Sequence, residues 1–201
     1  MRKQGKCLKT SHKQGYTYVK ALEKLLCVHL RNNTAHEFWE SQKDNIFGFN
    51  APFKIYQEQT TTWKFFECYI FAIQGATMKC LAKVENFLKF VKPIKEINSI
   101  LRLLKIRCLI ALDRYDDCDS EIESLRKFIS RHGLEGFLMN HNLYEFYCIL
   151  RNLKKSGYQK NINFKSYQPE PIEDLIKMNL TSLLIVKTAE HLNSWLYNGY
   201  K

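Results

Sequence analysis

Apolar residues recur every three or four positions along most of the chain, the spacing that lines one face of an α-helix. A clear example is the stripe of Val19, Leu22, Leu26 and Leu30. Similar stripes continue into the C-terminal region. Together they predict helices over approximately 19–31, 34–39, 60–73, 77–91, 93–112, 115–132, 134–155 and 171–196. Residues 44–59 are predicted to form a loop that packs through its aromatic side chains.

Glycine, proline and capping residues mark where these helices begin and end. Gly75 and Gly133 each follow a stripe, at the position where glycine commonly ends a helix. Pro93 suits the first turn of a helix, and Thr34 with Glu37 matches a capping box. With only 8 Gly and 4 Pro in 201 residues, the chain lacks the many tight turns of β-sandwiches and barrels. The prediction is an all-α fold of about eight helices, mostly antiparallel neighbours.

A shift of 38 residues superimposes one part of the sequence on another. Each copy is an aliphatic helix, a tight turn and an amphipathic helix with a small residue near its start. The matched pairs are Gly75 and Asp113, Cys80 and Cys118, Val84 and Ile122, Glu85 and Glu123, and Phe87 and Leu125. Repeats of about 20–50 residues are typical of helical solenoids. We predict that Cys80 and Cys118 are buried where the helices of each pair cross.

The segment Leu112-Asp113-Arg114-Tyr115-Asp116-Asp117-Cys118 resembles the inter-helix turn of a tetratricopeptide repeat. The resemblance implies that Tyr115 wedges between two helices and that Cys118 replaces the small alanine of that family. It departs from the family at Asp113, where the turn glycine is expected. Residues 60–155 look like the C-terminal part of uncharacterised bacterial tetratricopeptide-like proteins. This implies an array of antiparallel helix hairpins, a tetratricopeptide-like α-solenoid, that acts as a scaffold for a partner.

Residues 1–15 contain Lys, Gly, Ser and Thr without an apolar stripe, and they predict a flexible basic tail. The remainder, 16–201, is predicted to be one helical-repeat domain. Its parts are 16–59 with the N-terminal helices and the aromatic loop, 60–155 with the tetratricopeptide-like core, and 156–201 with a linker and the C-terminal helix.

The positive charge that gives the formal net charge of +11 is concentrated in two segments of the chain. Residues 1–31 contain eight Lys or Arg and one acid, and residues 151–167 contain five and no acid. Such basic segments favour an acidic partner, although each would also be stable as a solvated surface. The candidate partner-binding residues are Arg2, Lys3, Lys6, Lys9, Lys13, Arg151, Lys154 and Lys155.

The sequence contains no recognisable catalytic or metal-binding motif. The acidic run 113–123 fails as a calcium loop, because counting from Asp113 puts Cys118 and Ser124 where glycine and glutamate are required. The seven cysteines include no CxxC pair. Glycine-rich phosphate loops and the HExxH and GxSxG motifs do not occur. We therefore expect a protein that is not an enzyme, with no metal and no cofactor.

Apolar runs of about six residues are too short for a bilayer span of roughly 20, and the N-terminal segment does not resemble an export signal. We expect a cytoplasmic protein with reduced cysteines. The function we predict is a non-catalytic protein- or peptide-binding scaffold. The alternative is a nucleic-acid-associated protein that uses its basic N-terminal tail and the basic segment 151–165.

Overall fold

A computed structural model describes residues 4–47, 57–89, 94–141, 143–155, 158 and 178–197. All regular secondary structure in these ranges is α-helical, which confirms the all-α prediction. The helices are α1 (Gln4–Arg31), α2 (Ala35–Phe47), α3 (Gln57–Ile73), α4 (Thr77–Leu88), α5 (Lys95–Ala111), α6 (Tyr115–His132), α7 (Glu135–Asn140), α8 (Leu143–Lys155) and α9 (Leu180–Tyr197). Among these described helices, none is long and apolar enough to cross a membrane.

The chain forms two compact units, the first of which combines Met1–Trp63 with Ile172–Leu183. In this unit α1 packs against α2. Phe38 and Trp63 are both buried, and their rings stack with centroids 6.2 Å apart. The Thr62 and Thr181 hydroxyls lie 3.2 Å apart, which explains why 172–183 belongs with the N-terminal helices. Such a long-range contact leaves no local signal in the sequence, and the single domain over 16–201 stays a prediction.

The second unit combines Lys64–Pro171 with Leu184–Lys201. Here α5 packs against both α4 and α6, α7 packs against α8, and α8 also contacts α6. Most residues between Ile97 and Ile110 are therefore buried around the whole circumference of α5. Burial of each large apolar side chain contributes about 1.5–3 kcal/mol, so α5 forms the centre of this unit.

Three turns between consecutive helices have the same backbone geometry. Asn33, Gly75 and Asp113 have φ values of 58°, 68° and 55°. In each turn, the backbone amide of the residue with positive φ donates a hydrogen bond to the carbonyl oxygen three residues earlier. The next amide donates to the carbonyl five residues back, and the N···O distances are 2.8–3.3 Å. This is the Schellman motif, and Asn and Asp are among the side chains that best tolerate positive φ. The shift of 38 residues had revealed only the turns at Gly75 and Asp113.

The first helix is longer than the apolar pattern predicted. α1 begins at Gln4, so the backbone is helical over residues 4–15, which we had predicted to be a flexible tail. The segment contains no proline and several Lys and Gln residues, which have high helix propensity. Gly5 and Gly15 each cost about 1 kcal/mol relative to alanine, which is too little to end the helix here.

Other boundaries also differ from the prediction. Residues 134–155 form two helices, α7 and α8, because the polar Asn140-His141-Asn142 stretch has low helix propensity. The Thr34 hydroxyl lies 2.8 Å from Nδ1 of His29, so it serves the end of α1 and not the predicted capping box. Helix α2 extends to Phe47, and the rest of the predicted aromatic loop up to residue 56 lies outside the described residues. Pro171, where the last helix was predicted to begin, also lies outside the described residues.

The left-handed C-cap predicted at Gly133 is confirmed. Gly133 ends α6 with φ 63° and ψ 42°. The following amide, of Leu134, donates to the Ile129 carbonyl at 3.2 Å. A side chain would be strained at this φ, which explains why glycine suits the position.

Candidate binding cleft

A cleft of about 380 Å³ lies between α6 and α8 in the second unit. We call it the α6–α8 cleft. Its lining residues are Asp119, Ile122, Glu123 and Arg126 from α6, and Arg151, Lys154 and Lys155 from α8. The α6 residues follow the i, i+3, i+4, i+7 spacing of one helix face. Ile122 is buried, so the cleft has an apolar residue surrounded by charged ones.

The two carboxylates of the cleft already have partners. Glu123 accepts hydrogen bonds from Nε and Nη2 of Arg126 at 2.7–3.1 Å, and this contact lowers the pKa of the Glu123 carboxyl. Asp119 Oδ1 accepts a hydrogen bond of 2.5 Å from the Tyr158 hydroxyl. Lys154 Nζ lies 3.4 Å from the Asp119 carbonyl oxygen and 3.9 Å from its carboxylate.

Two cations of the cleft, Arg151 and Lys155, differ from Arg126 and Lys154 in their contacts with the described residues. Among the described residues, no carboxylate forms an ion pair with Arg151 or Lys155. The Arg151 guanidinium lies over the Tyr147 ring, 5.9 Å from its centroid. Both cations are exposed and lie four residues apart on α8, so they face the same side of the helix. Four cations and two carboxylates line the cleft, which leaves an excess of positive charge.

The structure brings together part of the predicted binding set. Arg151, Lys154 and Lys155 all line the cleft. Arg126 was missed, because its position opposite α8 depends on tertiary packing that spacing along the chain does not reveal. Lys6, Lys9 and Lys13 fall within α1, although the described side chains begin later in that helix. Arg2 and Lys3 lie outside the described residues, as do Lys160 and Lys165.

The three residues predicted to pack the repeat differ in their surroundings. Cys80 and Cys118 are both fully buried, and burial raises the pKa of Cys118 to about 11. Tyr115, in contrast, is 39% exposed. Its ring stacks on Tyr158 at 4.5 Å, and its hydroxyl donates to Asp113 at 2.6 Å. This aromatic pair lies beside Asp119, which accepts a hydrogen bond from Tyr158. A role of all three in repeat packing stays a prediction.

Cys27 and His29 lie two residues apart on α1. His29 lies against the Thr34 hydroxyl and the Phe38 ring. Burial raises the pKa of Cys27, which makes this thiol a poorer nucleophile. The six cysteines whose side chains are described are free thiols. Within the described part of the chain, no group of three or more His, Cys, Asp or Glu residues is placed to hold a metal ion.

Comparison with known proteins adds no functional assignment. No family model matches the chain, and no curated protein or solved structure matches it either.

Proposed function

We propose that this chain is a non-catalytic protein-binding scaffold of tetratricopeptide-like architecture, and that the α6–α8 cleft holds an acidic segment of a partner protein. The observation that carries the proposal is a pair of cations at the edge of this cleft, Arg151 and Lys155, which form no ion pair with any described carboxylate. Asp119 and Glu123 balance only part of the positive charge of the cleft. A carboxylate on the partner would balance more of it.

The repeated turn supports the scaffold part of the proposal. Consecutive helices α4, α5 and α6 pack in order, and the Schellman turns at Gly75 and Asp113 have equivalent hydrogen bonds. Helical-repeat proteins are built from such similar turns between neighbouring helices, and they use the surfaces between helices to bind extended segments. The proposed array is a run of antiparallel hairpins centred on α5.

The chemistry of the cleft favours an acidic peptide over a nucleic acid. A phosphate backbone carries a negative charge at every nucleotide, so some of its charges would lie against the carboxylates of Asp119 and Glu123. A peptide can place a carboxylate by Arg151 and an apolar side chain by Ile122. The volume of 380 Å³ is near the lower limit for ligand sites of about 300–1,000 Å³, so it suits a few side chains.

A binding assay with matched charge variants tests the proposal. The probe is a fluorescein-labelled peptide of Glu and Leu residues, followed by fluorescence anisotropy, and a peptide with Gln in place of Glu is the control. Arg151→Gln with Lys155→Gln should weaken binding about tenfold, since each partly exposed charge pair contributes modestly. Lys127→Gln with Arg131→Gln removes the same charge from exposed positions of α6 outside the cleft. This control should bind nearly as the original protein does.

Two outcomes would contradict the proposal. Equal weakening by both pairs of substitutions would mean that net charge, and not the cleft, attracts the peptide. Tighter binding of a labelled single-stranded oligonucleotide, with affinity falling steeply as salt rises, would favour the nucleic-acid alternative.

A further inference from the structure

Arg107 is a cation in the interior of the second unit. It lies on α5, the central helix, and only 6% of it is exposed. Among the described residues, no atom accepts a hydrogen bond from its Nε or its Nη1. No described carboxylate forms an ion pair with it. The guanidinium lies 5.7 Å from the centroid of the Trp195 ring, which belongs to α9.

The other polar groups around Arg107 do not supply a full negative charge. His191 lies one helical turn before Trp195, and burial, together with the Arg107 charge, lowers its pKa to about 4. The imidazole is therefore neutral near pH 7. Its buried Nε2 also has no hydrogen-bond partner in the described structure. We call the group formed by Arg107, His191 and Trp195 the Arg107 site.

Cys108, the next residue along α5, can ionise to an anion, and Arg107 acts on its pKa. A hydrogen bond from the Cys80 thiol lowers the pKa of Cys108, and burial opposes this. The charge of Arg107 and a hydrogen bond between the Arg107 and Cys108 side chains add to the lowering. The Cys80 pKa is raised by the same hydrogen bond and by burial, so Cys80 keeps its proton. Both thiols are fully buried, and burial penalises a thiolate as it penalises any charge.

A buried cation without a counter-charge is costly. Removing an ion from water costs several kcal/mol after relaxation, and only a nearby opposite charge offsets this. Unpaired guanidinium N–H groups add the cost of buried donors that have lost water. Cation–π contact with an indole contributes only about 1–2 kcal/mol, so Trp195 alone does not balance Arg107.

We propose that the Arg107 site binds a small carboxylate ion. The guanidinium is its ion-pair partner, the Nε2–H of neutral His191 donates a second hydrogen bond, and the Trp195 ring packs against its alkyl part. One buried cation is matched by one negative charge. A monocarboxylate therefore fits the site better than a dianion such as sulfate, which would leave one charge unpaired. This site is separate from the α6–α8 cleft and does not depend on the function proposed for it.

The experiment is thermal denaturation of the full chain in sodium acetate, compared with sodium chloride at equal ionic strength and fixed neutral pH. Acetate should raise Tm saturably, by about 5 °C well above its Kd. Sulfate, which stabilises proteins by exclusion from their surface, should raise Tm without saturating and equally in Arg107→Met. Arg107→Met removes the charge but keeps an apolar stem, and it should abolish the acetate effect. Its Tm in chloride should equal or exceed that of the original protein, because no buried charge remains unpaired.

Two further variants allow the proposal to be tested even if Arg107→Met does not fold. Arg107→Lys keeps the cation and should retain a reduced acetate effect, while Cys108→Ser should leave the effect intact. An acetate effect no larger than that of chloride in the original protein would overturn the proposal, whatever the variants do. So would an undiminished effect in folded Arg107→Met. Titration of Cys108 as a thiolate below pH 7 would overturn it too, since the thiolate would then be the counter-ion of Arg107.

Discussion

The second unit contains two groups of cations whose surroundings differ sharply. In the α6–α8 cleft, Arg151 and Lys155 are exposed, and water solvates their charge whether or not a partner is bound. In the interior, Arg107 has almost no contact with water and no carboxylate beside it among the described residues. The same charge therefore has little effect on the free energy of folding at the surface and lowers stability in the core.

This difference shows what each group can do. Exposed cations contribute little to stability, so they are free to steer and hold an acidic partner. A buried cation influences stability directly, so anything that neutralises it stabilises the folded state. Protonation and substitution should consequently have large effects in the interior and small effects at the surface.

The largest expected effect concerns histidine protonation. His191 has a pKa of about 4 in the folded state against an ordinary value of 6.5, so the unfolded state binds the proton more tightly. Its contribution to stability is complete above pH 6.5 and is lost as the pH falls toward 4. The loss amounts to about 3 kcal/mol at most. Urea unfolding at several pH values measures it.

Matched variants separate this histidine from the other groups that titrate in the same range. His191→Asn should flatten the fall in unfolding free energy between pH 6.5 and 4. His36→Asn, at an exposed position of α2, should leave it unchanged. Equal slopes in all three proteins would show that His191 is not buried as a neutral imidazole.

Breaking an ion pair should lower the free energy of unfolding by a smaller amount, which increases with the burial of the pair. Glu121 is 11% exposed and joins α6 to α5 through Arg102 and Lys105. Glu121→Gln should lower the unfolding free energy by about 1–2 kcal/mol, because two charge-assisted contacts weaken in a partly buried setting. Glu123→Gln breaks the exposed pair with Arg126 on α6 and should leave Tm nearly unchanged. Similar losses in both variants would contradict the role given to burial.

The sequence predicted the parts of the fold that depend on local patterns. The stripes of α4, α5 and α6 and the cap at Gly133 follow from apolar spacing and backbone preference, which act within a few residues. The start of α1 could not be predicted from apolar spacing, because residues 4–15 have no apolar stripe and their helix depends on residue propensity. The separation of α7 from α8 depends on a short polar stretch that the apolar pattern spans.

The binding residues were only partly predictable. Arg151, Lys154 and Lys155 stood out as a basic run, but Arg126 joins them only through the packing of α6 on α8. Arg107 was missed as well, since it looks like an exposed position of an amphipathic helix. A signal was present, because apolar residues lie three and four positions away on both sides of it. This pattern indicates a helix that is buried all round.

Reversal of charge in the α6–α8 cleft tests the central claim most directly. We predict that Arg151→Glu with Lys155→Glu loses affinity for the Glu and Leu peptide and gains affinity for a matched Lys and Leu peptide. Lys127→Glu with Arg131→Glu, which makes the same change in net charge elsewhere on the second unit, should keep the original preference. Fluorescence anisotropy with both peptides measures the two affinities. An identical switch of preference in both variants, or none in either, would contradict the assignment of the cleft as the binding surface.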